Sequence, residues 1–253
     1  MLIQSLAILA IASLLVVYQI LKDRTQFPKF VALETSQERR DYFRTSVLDS
    51  AFRYGVLGVV GLYVLGELSG LIAFPAIFEP GRALTFAWLT PNPDQLYLFG
   101  YGLAGIVFIL FTIITILPFY MKAEDLPQDG VMAMLARNWK EAKWSTLLSI
   151  NAGVSEEIFF RLMLPLAAFH LTGNILISFG IAALYFGIAH AYQGIGGIIV
   201  TGVLGLLFTL IYVLTAQLWL VILIHILVDL RGLILLPWAL GILNTGETEA
   251  PSD

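Results

Sequence analysis

Runs of about twenty residues with almost no charge recur along this sequence, each long enough to cross the hydrocarbon core of a bilayer as a helix. They lie near 2–21, 52–74, 97–120, 147–169, 173–190, 195–214 and 217–240. Very short links join the last four, leaving room for one helical hairpin more or less. The expected fold is therefore all-α, a polytopic transmembrane helical bundle of about seven to eight spans. Composition agrees: charged residues make up 13%, against about 25% in soluble domains. No long polar linker divides the chain, so residues 1–253 are read as a single membrane-embedded domain.

The N-terminal run lacks a basic start, and its first charges are Lys22, Asp23 and Arg24. A secretory signal has a positive beginning and a shorter apolar core, so a retained first span is expected. Lys/Arg residues concentrate in the first loop (Lys22, Arg24, Lys29, Arg39, Arg40, Arg44, with Arg53 just beyond) and the third (Lys122, Arg137, Lys140, Lys143). The positive-inside rule then makes both loops cytoplasmic, the N-terminus external and the acidic tail Glu247–Asp253 internal. Segments 27–50 and 121–146 are polar enough to lie on the membrane surface. Residues 131–146 read either as an interfacial helix or as an ordinary loop helix. Without a basic tract, nucleic acid is not an expected partner. The absence of cysteine excludes disulfides, thiolate metal sites and a cysteine nucleophile.

The chemistry concentrates in three spans. The fourth contains Glu156, Glu157 and Arg161. A charged residue at a helix centre costs about 2.5–3.5 kcal/mol on insertion scales, so three within six residues need an explanation. Glu157 and Arg161 are four apart with the acid first, and can pair on one face. Glu156 is rotated by about 100° from Glu157, so it points elsewhere and has no partner in its own helix. The fifth span ends with Phe186 and His190 on one face, and the seventh carries His225 and Asp229, again four apart. His170, at a span end before Thr172 and Gly173, suits an interfacial or capping role.

The topology puts Glu156, His190, His225 and Asp229 at similar depth in the cytoplasmic half of the membrane, where they can converge. A free carboxylate beside two imidazoles in a restricted cavity suits water activation. The carboxylate would accept a proton from water, and one imidazole would help to position that water. The second histidine and its neighbour would stabilise an oxyanion. Blander readings stand beside this one. The Glu157–Arg161 pair could be helix-packing glue, and a His–Asp pair could be a proton relay.

In this order and on separate spans, Glu156-Glu157-x-x-x-Arg161, Phe186-x-x-x-His190 and His225-x-x-x-Asp229 resemble the three motifs of the CPBP family. These are the CAAX proteases and bacteriocin-processing enzymes, also called Abi, which are similar to the Rce1-type prenyl protein protease. The resemblance covers a core of about 145–240. It implies a membrane-embedded endopeptidase in which Glu156 and His190 activate water, and His225 with residue 229 forms the oxyanion hole. Glu157 and Arg161 would support the helix arrangement, and Phe186 would line the site. Rce1-type members have Asn where this chain has Asp229. An ionised Asp donates no hydrogen bond, so Asp229 would have to be protonated, or would orient His225 instead.

Zinc is a possible cofactor, with Glu156, His190 and His225 as three ligands and water as the fourth. No HExxH occurs, and the resemblance favours a glutamate mechanism with no obligatory metal. Expected partners are membrane lipids and a peptide or protein substrate, including a membrane-anchored one. Compactness and the lack of a transit peptide point to a prokaryotic plasma membrane. The competing readings are a catalytically inactive scaffold or bacteriocin-immunity-type protein of the same fold, and a proton-coupled transporter. The second is disfavoured by the lack of a clear internal repeat.

Overall fold

The computed structural model describes residues 1–120 and 130–244. Lys122 and the acidic tail Glu247–Asp253, to which the sequence assigns a cytoplasmic place, lie outside them. Among the described residues all regular structure is helical. The elements are α1 (Leu2–Val31), α2 (Ser36–Ser50), α3 (Leu57–Leu65), α4 (Glu79–Thr85), α5 (Leu96–Ile116), α6 (Trp139–Glu157), α7 (Leu164–Thr172), α8 (Ile175–Ala189), α9 (Gly194–Thr215), α10 (Leu218–Leu230) and α11 (Leu236–Ala239), with short 3₁₀ and π turns between them.

Among the described residues, five helical stretches are long and apolar enough to cross a membrane: Leu2–Val31, Ser36–Leu65, Pro93–Ile116, Ala191–Thr215 and Leu218–Ala239. Their outward faces carry exposed Leu14, Ile109 and Val203, and α5 fully buries only Leu96 and Gly100 of its 21 residues. Such surface is sustained by lipid rather than water, which supports a membrane-embedded, multi-pass chain. The charge-bearing run of α6 and α7 does not meet the same measure, nor does α8, with 15 residues.

Besides α1, which runs on to Val31 past its predicted end at 21, the boundaries differ notably from the apolar pattern in two places. The run 52–74 is not one helix. Its helix begins at Ser36, where Thr35 accepts from Glu38 N, and ends at Gly66, whose φ of 72° closes the C-terminus in the left-handed region. A 3₁₀ turn follows at Leu68–Leu71 and another at Ala76–Phe78. Hydropathy continues across this break because a cap changes backbone direction, not polarity. Residues 131–146 do not form a helix of their own either. After the turn Gly130–Met134, Asn138 caps α6 by accepting from Glu141 N, so 139–146 are the opening turns of α6.

Beside that cap, Arg39 of α2 reaches Glu141 Oε2 at 3.0 Å and donates to the carbonyls of Ala133 and Leu135, both at 3.0 Å. Both partners of this ion pair are wholly buried, tying α2 to the start of α6. Arg82 plays a comparable part at the far end of α9. Its Nε and Nη2 donate to the carbonyls of Val213 and Leu214, which the end of a helix leaves without partners.

The core runs through the centre of the fourth predicted span, where Phe159, Phe160, Leu162, Leu164 and Leu166 are almost completely enclosed. Lipid tails are as apolar as these side chains, so close packing rather than exclusion of water holds helices together here. Pro165 would ordinarily break this helix by removing an N–H. It is accommodated by a π turn at Ile158–Met163 just ahead of it. Two further π turns, Ala51–Val56 and Arg231–Leu235, flank the same region.

The approach of α6 to α10 turns on Gly153. A Cβ there would overlap the Ile226 side chain and lie 3.1 Å from Ile226 N and 3.2 Å from Ile222 O. Gly153→Ala is therefore expected to lower the thermal unfolding midpoint in detergent, at a cost of about 1–3 kcal/mol from overpacking. An unchanged midpoint would show that the two helices do not need this contact.

Candidate active site

Glu156 and Glu157 are the last two residues of α6, and helical phase sends them to different surroundings. Glu157 is completely enclosed. Its Oε2 lies 3.0 Å from Arg161 Nε, the i,i+4 pair that the sequence predicts. Its Oε1 accepts from His225 Nδ1 at 2.6 Å. The pair is thus one end of a three-member chain, Arg161–Glu157–His225, joining the run of α6 and α7 to α10. A carboxylate paired with a guanidinium only accepts, so Nδ1 of His225 carries the hydrogen and Nε2 faces away from the chain.

Arg161 also donates to Gly205 O at 3.4 Å. Its guanidinium carbon stands 4.5 Å from the centroid of Phe186 and 5.4 Å from that of Phe208. An aromatic face attracts a cation without competing for its hydrogen bonds. Phe186 is the common neighbour of both histidines, with ring centroids 4.8 Å from His190 and 6.0 Å from His225.

His190 stands just past the end of α8, where the backbone leaves helical geometry. Its Nδ1 lies 2.8 Å from Phe186 O. A carbonyl accepts and cannot donate, so Nδ1 bears the hydrogen and the Nε2 lone pair is available. Glu156 and His190 line one cleft together, a space of roughly 770 Å³ counting its open mouth. Glu156 Oε2 is buried and has no hydrogen-bond partner among the described residues. The charged groups in its electrostatic reach are His225, Glu157, Arg161 and Arg53.

Asp229 lies beside His225 without a direct hydrogen bond to it. Its Oδ2 is 3.8 Å from His225 Nε2, too far for a hydrogen bond. The carboxylate that holds the imidazole is Glu157. Asp229 flanks the other nitrogen and remains in electrostatic reach of His225, Glu156 and His190. His170 lies in the last turn of α7, outside this group.

Cleft-lining residues that sequence reasoning did not select come largely from the N-terminal third, joined by Met134, Leu148, Ala152, Ala189 and Tyr192. They include Lys22 and Phe27 of α1, Tyr42 and Asp49 of α2, and Arg53 and Tyr54 of the following π turn. The cleft is therefore not confined to 145–240. The available signal was Arg53-Tyr54 at the start of an apolar run, which the positive-inside count absorbs as a membrane flank. Among the described residues no group of three His, Cys, Asp or Glu is gathered at metal-ligand spacing.

Residues 138–231 match the family model described as type II CAAX prenyl endopeptidase Rce1-like. The matched segment is under half of the chain. It contains Glu156, Glu157, Arg161, Phe186, His190, His225 and Asp229, and leaves out the N-terminal residues that line the cleft. Neither the curated proteins nor the solved structures give a match.

Proposed function

We propose that this chain is a membrane-embedded endopeptidase that hydrolyses peptide bonds near the cytoplasmic face with water activated by Glu156 and His190. The observation that carries this reading is the buried, unpartnered Oε2 of Glu156, a residue that shares a cleft with His190, whose Nε2 is left available. Glu156 takes a proton from a water positioned by His190, and the oxygen attacks the scissile carbonyl. The resulting oxyanion is stabilised by Nε2–H of His225 in its doubly protonated form, with the imidazole held by Glu157. The proton on Glu156 then passes to the leaving amine as the C–N bond breaks. No step requires a metal, and none is routed through one.

The similarity of 138–231 to Rce1-like endopeptidases supports peptide hydrolysis over other uses of the same groups. The Lys/Arg distribution supports the cytoplasmic placement. A substrate anchored in the membrane suits the location. A scaffold of the same fold would account for the Arg161–Glu157–His225 chain, but gives no reason for an unpartnered buried carboxylate beside it. The test is incubation of the purified protein with membrane-anchored peptides in H₂¹⁸O, read by mass spectrometry. One ¹⁸O in each new carboxylate is expected, and no cleavage of any peptide would defeat the reading.

Asp229 supplies a narrower prediction. Because Glu157 already orients His225, Asp229→Asn is expected to retain turnover, an amide being able to donate to the oxyanion. Asp229→Ala is expected to lose about 10²-fold or more, the scale for removing an oxyanion donor. Equal losses in both variants, measured as kcat, would instead assign Asp229 to holding His225.

A further inference from the structure

Arg53 stands on the π turn between α2 and α3 and lines the same cleft as Glu156 and His190. It is 8% exposed. Its Nη2 donates to Asp49 Oδ2 at 2.7 Å, and Lys22 Nζ reaches the same oxygen at 2.6 Å. Nε and Nη1 are buried and have no acceptor among the described residues. Asp23, another acid of this lining, is bonded by Gln19. A guanidinium has five N–H donors, so half a share in one carboxylate oxygen leaves most of its capacity unfilled. Buried donors without acceptors are costly. An anion that entered the cleft and filled them would recover that free energy on binding. Phe27, Tyr42, Leu148 and Tyr192 supply apolar surface in the same cleft.

We infer that Arg53 anchors substrate, its two unfilled nitrogens taking a carboxylate of the peptide whose scissile bond lies at Glu156 and His190. The inference rests on the peptidase reading. The carboxylate is either the peptide's C-terminal group or an acidic side chain, two sources of one chemistry that the experiment separates.

The probe is a fluorescein-labelled apolar hexapeptide in three forms: free C-terminus, C-terminal amide, and amide with glutamate as its last residue. Binding to the Glu156→Gln protein in detergent, where turnover does not interfere, is followed by anisotropy. One or both carboxylate forms are expected to bind about ten- to a hundredfold more tightly than the plain amide, the range of a charge-assisted hydrogen bond. Which form gains identifies the source. Adding Arg53→Gln is expected to erase the preference, and Arg53→Lys to keep part of it, since charge remains without the planar fork. Equal binding of the three forms, or a preference that survives Arg53→Gln, would overturn the assignment. Should Arg53→Gln fail to fold, Asp49→Asn gives the converse: freeing Arg53 should enlarge the preference, and no change counts against the site. Cleavage of all three peptides with equal kcat/KM by the parent would remove the subsite and leave the peptidase standing. Carboxylate-selective binding without cleavage would do the reverse.

Discussion

Glu156→Gln is expected to lower peptide cleavage by about 10²–10⁴-fold, the range for loss of a general base, without lowering the thermal unfolding midpoint. The two halves of this expectation have one origin. Glu156 Oε2 is buried without a hydrogen-bond partner, so an amide of the same shape breaks no bond and removes a carboxylate from an enclosed place. Residues kept for chemistry rather than stability characteristically behave this way. His190→Ala is expected to lose activity on a similar scale, since it removes an imidazole that lines the cleft while the Phe186 carbonyl loses only one donor. Steady-state cleavage and thermal unfolding of the purified variants measure both quantities. Cleavage at the parental rate by both variants would end the enzymatic reading and leave the scaffold as the better account.

What could be read from sequence follows the reach of each signal. Helical phase is local, so the pairing of Glu157 with Arg161 and the divergence of Glu156 from it were legible from spacing, and the structure shows both. The bond between Glu157 and His225 joins residues 68 apart, and no spacing rule spans two helices. His225 and Asp229 illustrate the difference. Their i,i+4 spacing invites a direct partnership, yet the tertiary packing of α6 on α10 gives His225 a nearer carboxylate. The cleft was only half visible for the same reason. Lys22 and Arg53 read as a basic membrane flank, and only the folding of α1 against α7 and α8 and of α2 against α6 brings them into one cleft with Glu156. Apolar runs located most helices. They missed the break at Gly66 and the extension of its helix back to Ser36, because hydropathy records neither a left-handed cap nor a capped polar start.

Glu157→Ala is expected to be the most damaging single change for the fold, at about 3–5 kcal/mol, the cost of leaving a buried charge without its partner. Arg161, 1% exposed, would keep only Gly205 O at 3.4 Å and two aromatic faces. His225 Nδ1 would lose its acceptor in the same step, so one substitution strands two groups on two elements. Glu157→Gln separates charge from shape. Its amide offers one acceptor oxygen where Arg161 and His225 both present N–H groups, so one of them must meet an NH₂. The expected cost is smaller, about 1–3 kcal/mol for one unsatisfied buried donor. Cleavage should nevertheless fall about tenfold or more, because a carboxylate behind an imidazole fixes both its tautomer and its direction. Ile109→Ala, on the exposed face of α5, should change neither quantity and serves as the control. Unfolding in detergent and cleavage, measured on all three variants, check the ordering. A Glu157→Ala protein as stable as the Ile109→Ala control would mean that the Arg161–Glu157–His225 chain does not hold these helices together.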